Sequence, residues 1–150
     1  MQYLTWLPRR IVVLAAIFAS QDAVSCGGEA APAAEPSAYL YDAAEASAVR
    51  LAETWHPQQS GWSRLDEDDT AHRFAGCPVL VNDKLVAVLR KDSPDIDLYA
   101  RRGRGVKLCA RLQPMCDGTA GLQRTTLDIK ANAPDAVSLE VGFRSPRGEP

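Results

Sequence analysis

The sequence predicts a mainly β chain: an antiparallel meander forming part of a β-sandwich, with an N-terminal signal helix and room for one short helix. Three observations carry this. Short apolar runs at 78–82, 85–90, 96–101, 106–112, 122–131 and 137–144 recur at roughly ten-residue spacing, with turn residues between them. Several alternate with period two: Ile96, Leu98 and Ala100 against Asp97, Tyr99 and Arg101; Val106, Leu108, Ala110 and Leu112 against Lys107, Cys109 and Arg111; Val137, Leu139, Val141 and Phe143 against Ser138, Glu140 and Arg144. One face of such a strand is core and the other wet. The run 85–89 is apolar throughout, so that strand is predicted to be covered on both sides, and a second layer must exist.

At the N-terminus, Arg9 and Arg10 precede the apolar run 11–19, and Ala23-Val24-Ser25 precedes Cys26. This has the form of a signal peptide over 1–25. The apolar run is about half the roughly twenty residues needed to span a bilayer. Ala23 and Ser25 satisfy the small-residue rule for ordinary cleavage, giving a secreted or periplasmic chain. The same Ala-Val-Ser-Cys, followed by Gly27-Gly28, resembles a bacterial lipobox with alanine in the usual place of leucine, which implies lipidation of Cys26 and an anchor at the cell envelope. Both outcomes stay open.

Residues 26–37 are small, acidic or proline and read as a tether. Over 38–76 the expectation is a mixed segment and a long loop. Pro36-Ser37 offers a helix start, and alanine content favours a short helix or irregular turn within 38–48, followed by a strand near 49–55. From 56 to 76 the chain carries Pro57, Gly61 and Asp66-Glu67-Asp68-Asp69, a long loop pinned by Trp62 and Phe74. The β-domain is placed at 77–144. Within it Asn82-Asp83 can supply the left-handed backbone of a tight hairpin, Ser93-Pro94 ends a strand, and Gly103 and Gly105 turn the chain again. The tail 145–150 reads as a loop leading out of a strand, so either a further strand is missing or the end is a frayed polar tail.

Net charge is −2, from 17 basic and 19 acidic residues, and removing 1–25 leaves the remainder mildly acidic. This gives no general attraction to nucleic acid, and the membrane enters only through the signal peptide or a lipid anchor. The four cysteines are Cys26, Cys77, Cys109 and Cys116. Cys109 and Cys116 flank the Gln113-Pro114 turn and are the best local disulfide candidate in an exported chain. Lipidation of Cys26 would leave Cys77 over; otherwise three connectivities are open.

Metal and catalytic signatures are weak. Asp66, Asp68 and Asp69 supply oxygen ligands for Ca²⁺ but lack the glycine and final glutamate of an EF-hand loop, so a solvated acidic loop is favoured and no metal or cofactor is expected. His56 and His72 lie in the loop without signature spacing to Cys77 or to the carboxylates, so no catalytic residue is assigned. Arg101, Arg102, Arg104, Lys107 and Arg111 cluster near one turn, where they suit phosphate or a sulfated sugar, or simply a wet strand face. Trp55, Trp62 and Tyr99 are candidates for a platform that stacks sugar rings, against the alternative that they cover the core.

The stretch Val81-Asn82-Asp83-Lys84-Leu85-Val86-Ala87-Val88-Leu89, then a turn and Ile96-Asp97-Leu98-Tyr99, resembles the opening strands of galactose-mutarotase-like β-sandwiches, found in many carbohydrate-active enzymes. The resemblance covers 78–101 and implies a fold and a carbohydrate context. Catalytic residues of that superfamily lie beyond its opening strands, so none is carried over. The functional expectation is an exported non-catalytic β-sandwich module or fragment, carbohydrate-associated. The alternative is a secreted or lipid-anchored domain that binds another protein, and a hydrolase ranks last.

Overall fold

The computed structural model describes residues 38–43, 51–54, 61–103, 105–115 and 121–145, and among them every regular element is a strand. The expected signal peptide, the tether and residues 146–150 lie outside the described residues. The strands are β1 (Ala38–Ala43), β2 (Ser63–Arg64), β3 (Cys77–Asn82), β4 (Leu85–Leu89), β5 (Ile96–Arg102), β6 (Gly105–Leu112), β7 (Gln123–Asn132) and β8 (Val137–Arg144). Six form an antiparallel sheet in the order β2-β1-β3-β4-β5-β6, and β7 pairs with β8 in a second, two-stranded sheet.

Each face of the large sheet has its own core. On the hairpin face, Ala38, Leu40, Leu80, Ala87, Leu89 and Ile96 pack against Leu122, Ile129, Val137, Leu139, Val141 and Phe143 around the second sheet. On the opposite, loop face, Ala43, Cys77, Val79, Val81, Val86, Val88, Tyr99 and Val106 are joined by Leu51 and Trp62 from the connections. β4 is therefore buried on both sides, as its unbroken apolar run requires.

That double cover corrects the reading of β5. Asp97 and Tyr99 were expected on a wet face; instead they are 0% and 2% exposed. β6 differs too. Leu98 pairs with Ala110 but Tyr99 pairs with Leu108, so Cys109 is an extra residue in a β-bulge. Val106 and Leu108 share the loop face with Tyr99, whereas Ala110 and Leu112 fall on the other face. Leu112 is 46% exposed and is not part of the core on that face.

The first described segment is also a correction. Where alanines favour a helix within 38–48, residues 38–43 form a strand paired with β3 along its whole length and with β2 on its other side. Tyr39 and Tyr41 alternate with buried Ala38, Leu40 and Asp42, and cross-strand packing overrides a weak helical preference. Residues 51–54, expected as strand, are irregular and end in a turn. They are tied down by Leu51 N donating to Tyr99 Oη (3.3 Å) and Val106 N donating to Glu53 O (3.0 Å). At the β3–β4 turn no left-handed residue is needed. Asn82 Oδ1 instead accepts from Lys84 N (2.9 Å) and Leu85 N (2.6 Å), closing the turn through its side chain.

Gly105 sits where β6 meets the 51–54 segment, and a Cβ there would overlap the Glu53 carbonyl, a backbone group that cannot swing away. Gly105→Ala should therefore cost about 1–3 kcal/mol, by the usual effect of overpacking. The check is a lower urea midpoint at unchanged slope.

Candidate functional site

Three polar constellations and one aromatic strip are built on this frame. The most buried is Asp97. It lies on the loop face in a cross-strand row with Tyr41, Val79, Val88 and Arg111. Arg90 reaches Asp97 Oδ2 through Nε (2.7 Å) and Nη2 (2.6 Å); Arg111 reaches Oδ1 through Nε (2.6 Å) and Oδ2 through Nη2 (3.3 Å). The bulge at Cys109 brings Arg111 onto this face. Burial pushes the Asp97 carboxyl up, but hydrogen bonds and charge from Arg111 and Arg90 outweigh it, so its pKa lies below the ordinary carboxylate value. All three charged groups are committed to one another, which makes this a pin across β4, β5 and β6 rather than a reactive centre.

The second constellation fastens a loop to β1. Asp42, buried on the hairpin face beside Leu40, accepts from His72 Nε2 (2.9 Å), Ala75 N (2.8 Å) and Gly76 N (2.9 Å). Burial raises its pKa, and the His72 and two backbone hydrogen bonds bring it below the ordinary value. The His72 ring meets Phe74 edge-on at 5.1 Å. The possible nucleophile Cys77 is not part of this pair. It is buried on the other face, where its sulfur accepts from Lys91 N (3.2 Å).

Asp66, Asp68 and Asp69 form a turn instead of a converging ligand set. Asn132 Nδ2 donates to Asp66 O (2.6 Å), and Asp68 N donates to Asn132 O (2.8 Å) with Asp68 left-handed (φ 65°). Asp69 Oδ1 accepts from Ala71 N and His72 N, each at 3.1 Å. Among the described residues no group of three or more His, Cys, Asp or Glu side chains is placed to hold a metal ion.

The expected aromatic platform is rearranged. Tyr99 is buried under the 51–54 segment, its hydroxyl accepting from Leu51 N, so its ring is closed to a ligand. Trp55 lies outside the described residues, as do His56, Arg104, Cys26 and Cys116. Trp62 is half-buried on the loop face. On the same face are two residues that the helical reading of 38–48 concealed: Tyr39 and Tyr41, half-buried, with ring centroids 6.5 Å apart and tilted by 54°. Read as a strand, period-two spacing alone would have put them together. Arg64 stacks on Tyr39, its Cζ 4.3 Å from the ring centroid. Burial raises the pKa of Tyr41; Tyr39 adds to this, while Arg64 and Arg101 oppose it.

The basic cluster is divided. Arg111 serves Asp97, Arg101 Nη1 donates to Asn82 O (2.7 Å), and Arg102 and Lys107 are exposed. Cys109 is a free, exposed thiol donating to Leu98 O (3.2 Å). Comparison of the chain with protein-family models, with curated proteins and with solved structures finds no match.

Two outcomes follow from the carboxylates. Asp97→Asn leaves two guanidinium groups facing a neutral amide in a buried site and should cost about 3–5 kcal/mol, measured by urea unfolding. Because Asp42 and Asp97 both have folded pKa values below their unfolded ones, their contribution is complete above the unfolded value of about 3.9 and is lost as pH falls through the folded values. The urea midpoint should thus fall steeply below about pH 4, and less steeply in Asp42→Asn, whose already lowered midpoint no longer includes that share.

Proposed function

We propose that this chain is an exported, non-catalytic β-sandwich module that binds carbohydrate through the strip formed by Tyr39, Tyr41 and Trp62. One observation carries the reading: on the loop face, two tyrosines from one strand have ring centroids 6.5 Å apart, and a tryptophan from the β2 approach packs on the same face. Flat aromatic faces beside polar tips suit the mixed C–H and hydroxyl surface of a sugar ring. Export follows from the signal-like 1–25, with Cys26 either lipidated or following the cleavage site. No metal or cofactor enters this reading, and the polar clusters that resemble catalytic parts are committed to holding the fold.

Saturable binding in a glycan panel should weaken by about tenfold or more in Tyr41→Ala and Trp62→Ala, as loss of a stacking residue implies, and persist in Tyr99→Phe. Absence of binding across a broad panel removes the reading.

A protein-interaction role has its own observation. Leu85 and Leu112 are exposed on the hairpin face, Leu85 beside the Ala100 end of β5 and Leu112 beside its Ile96 end, and exposed Met115 lies shortly past β6. In that reading Leu85→Lys with Leu112→Lys abolishes rebinding of a purified partner, while Trp62→Ala leaves it intact.

A further inference from the structure

The aromatic strip is bordered by guanidinium groups, and their placement narrows the ligand. Arg64 stands directly across from Tyr41 in the β1–β2 register, and Tyr39 is the next residue along the same face, so the long arginine side chain lies diagonally over Tyr39. Stacking holds the guanidinium by its flat face. The donors of a guanidinium lie in its plane and point outward from its edge, so an arginine held this way is orientated for the paired oxygens of a carboxylate or sulfate.

Its present anionic neighbour is weak competition. Glu67 Oε1 is 3.7 Å from Arg64 Nη2, with both side chains about half exposed at 46% and 47%. Such a surface pair contributes about 0–1 kcal/mol and is readily exchanged. Arg101 brings a second positive charge toward Tyr41, while its own Nη1 donates to the neutral carbonyl of Asn82. Other carboxylates are engaged elsewhere: Asp42 points to the opposite face of β1, Asp97 is held by Arg90 and Arg111, and the acidic run that follows Arg64 turns toward Asn132 on the hairpin side. The Tyr41 phenol is a hydrogen-bond donor at neutral pH, as any tyrosine is, and burial favours that neutral form further. Donors and positive charge therefore dominate the edge of the strip.

We propose that the strip selects anionic saccharides, uronic or sulfated, with rings stacked on Tyr41 and Trp62 and the acidic group gripped by Arg64. This rests on the carbohydrate reading above and adds the charge class of the ligand.

Isothermal calorimetry on the exported protein tests it with an oligogalacturonate and the neutral galactose oligomer of the same length. The acidic oligomer should bind about tenfold tighter or more, as a charge-assisted bidentate contact implies, and lose affinity with added salt. Arg64→Gln should erase that preference, and Arg64→Lys should restore only part of it. Unchanged melting of both variants shows that the fold survives. Equal affinity for the two oligomers, or an acid preference unchanged in Arg64→Gln, overturns the inference while leaving carbohydrate binding standing. Binding to neither oligomer, with no binding elsewhere in the glycan panel, removes both. Arg64-dependent binding to vesicles containing phosphatidylglycerol, with no saccharide bound, assigns the strip to a lipid surface and overturns it as well.

Discussion

The central strands β3 and β4 have no wet side, and most of the molecule follows from that constraint. A sheet whose middle is apolar on both faces must be covered twice, and this chain covers it unequally. One face receives a β-hairpin; the other receives irregular connections, represented by Leu51 and Trp62. Connections offer fewer apolar side chains than a sheet and bring their own backbone polar groups. Those groups need partners. Tyr99 Oη meets Leu51 N, and Glu53 O takes the amide of Val106.

The same constraint explains why charge is buried at Asp97. As the sheet leaves β4, the loop-face row continues from Val88 to Asp97, and a carboxylate in that position survives only if cations come to it. Arg90, just past the end of β4, supplies one. Arg111 supplies the other because a single extra residue in β6 shifts the strand's alternation by one place. The ionic centre and the bulge thus belong to one arrangement. By using their charges internally, these arginines leave Arg64 and Arg101, by the tyrosines, to give the opposite side of the same face its electrostatic character.

Fold class was legible because it rests on periodicity, which survives without knowledge of neighbours: the β-meander, its strand positions and the double cover of β4 all come from apolar spacing. The misreadings have local causes. Ala38, Ala43 and the alanines after them mask a strand whose evidence is the spacing of Tyr39 and Tyr41, and missing that strand hid two of the three aromatics now assigned to the strip. Alternation separates Asp97 and Tyr99 from Ile96 and Leu98 correctly, but it cannot say whether the second face is wet. The bulge at Cys109 leaves no mark in a sequence where either register gives plausible alternation. Trp62 was legible as a surface aromatic; Arg64 beside it acquires meaning only from the β1–β2 pairing.

Among the described residues one border of the large sheet is β6, and its construction bears on how the protein behaves among its own copies. A long flat terminal strand invites another chain to extend the sheet, leading to polymerisation. Here the start of that border is already engaged by Glu53, the middle is bent by the extra residue at Cys109, and Lys107 places an exposed charge on it. Two molecules meeting edge to edge would find no straight ladder to continue. The irregularity that lets Arg111 reach Asp97 also deters fibril growth, so a feature that serves internal charge balance contributes to colloidal stability.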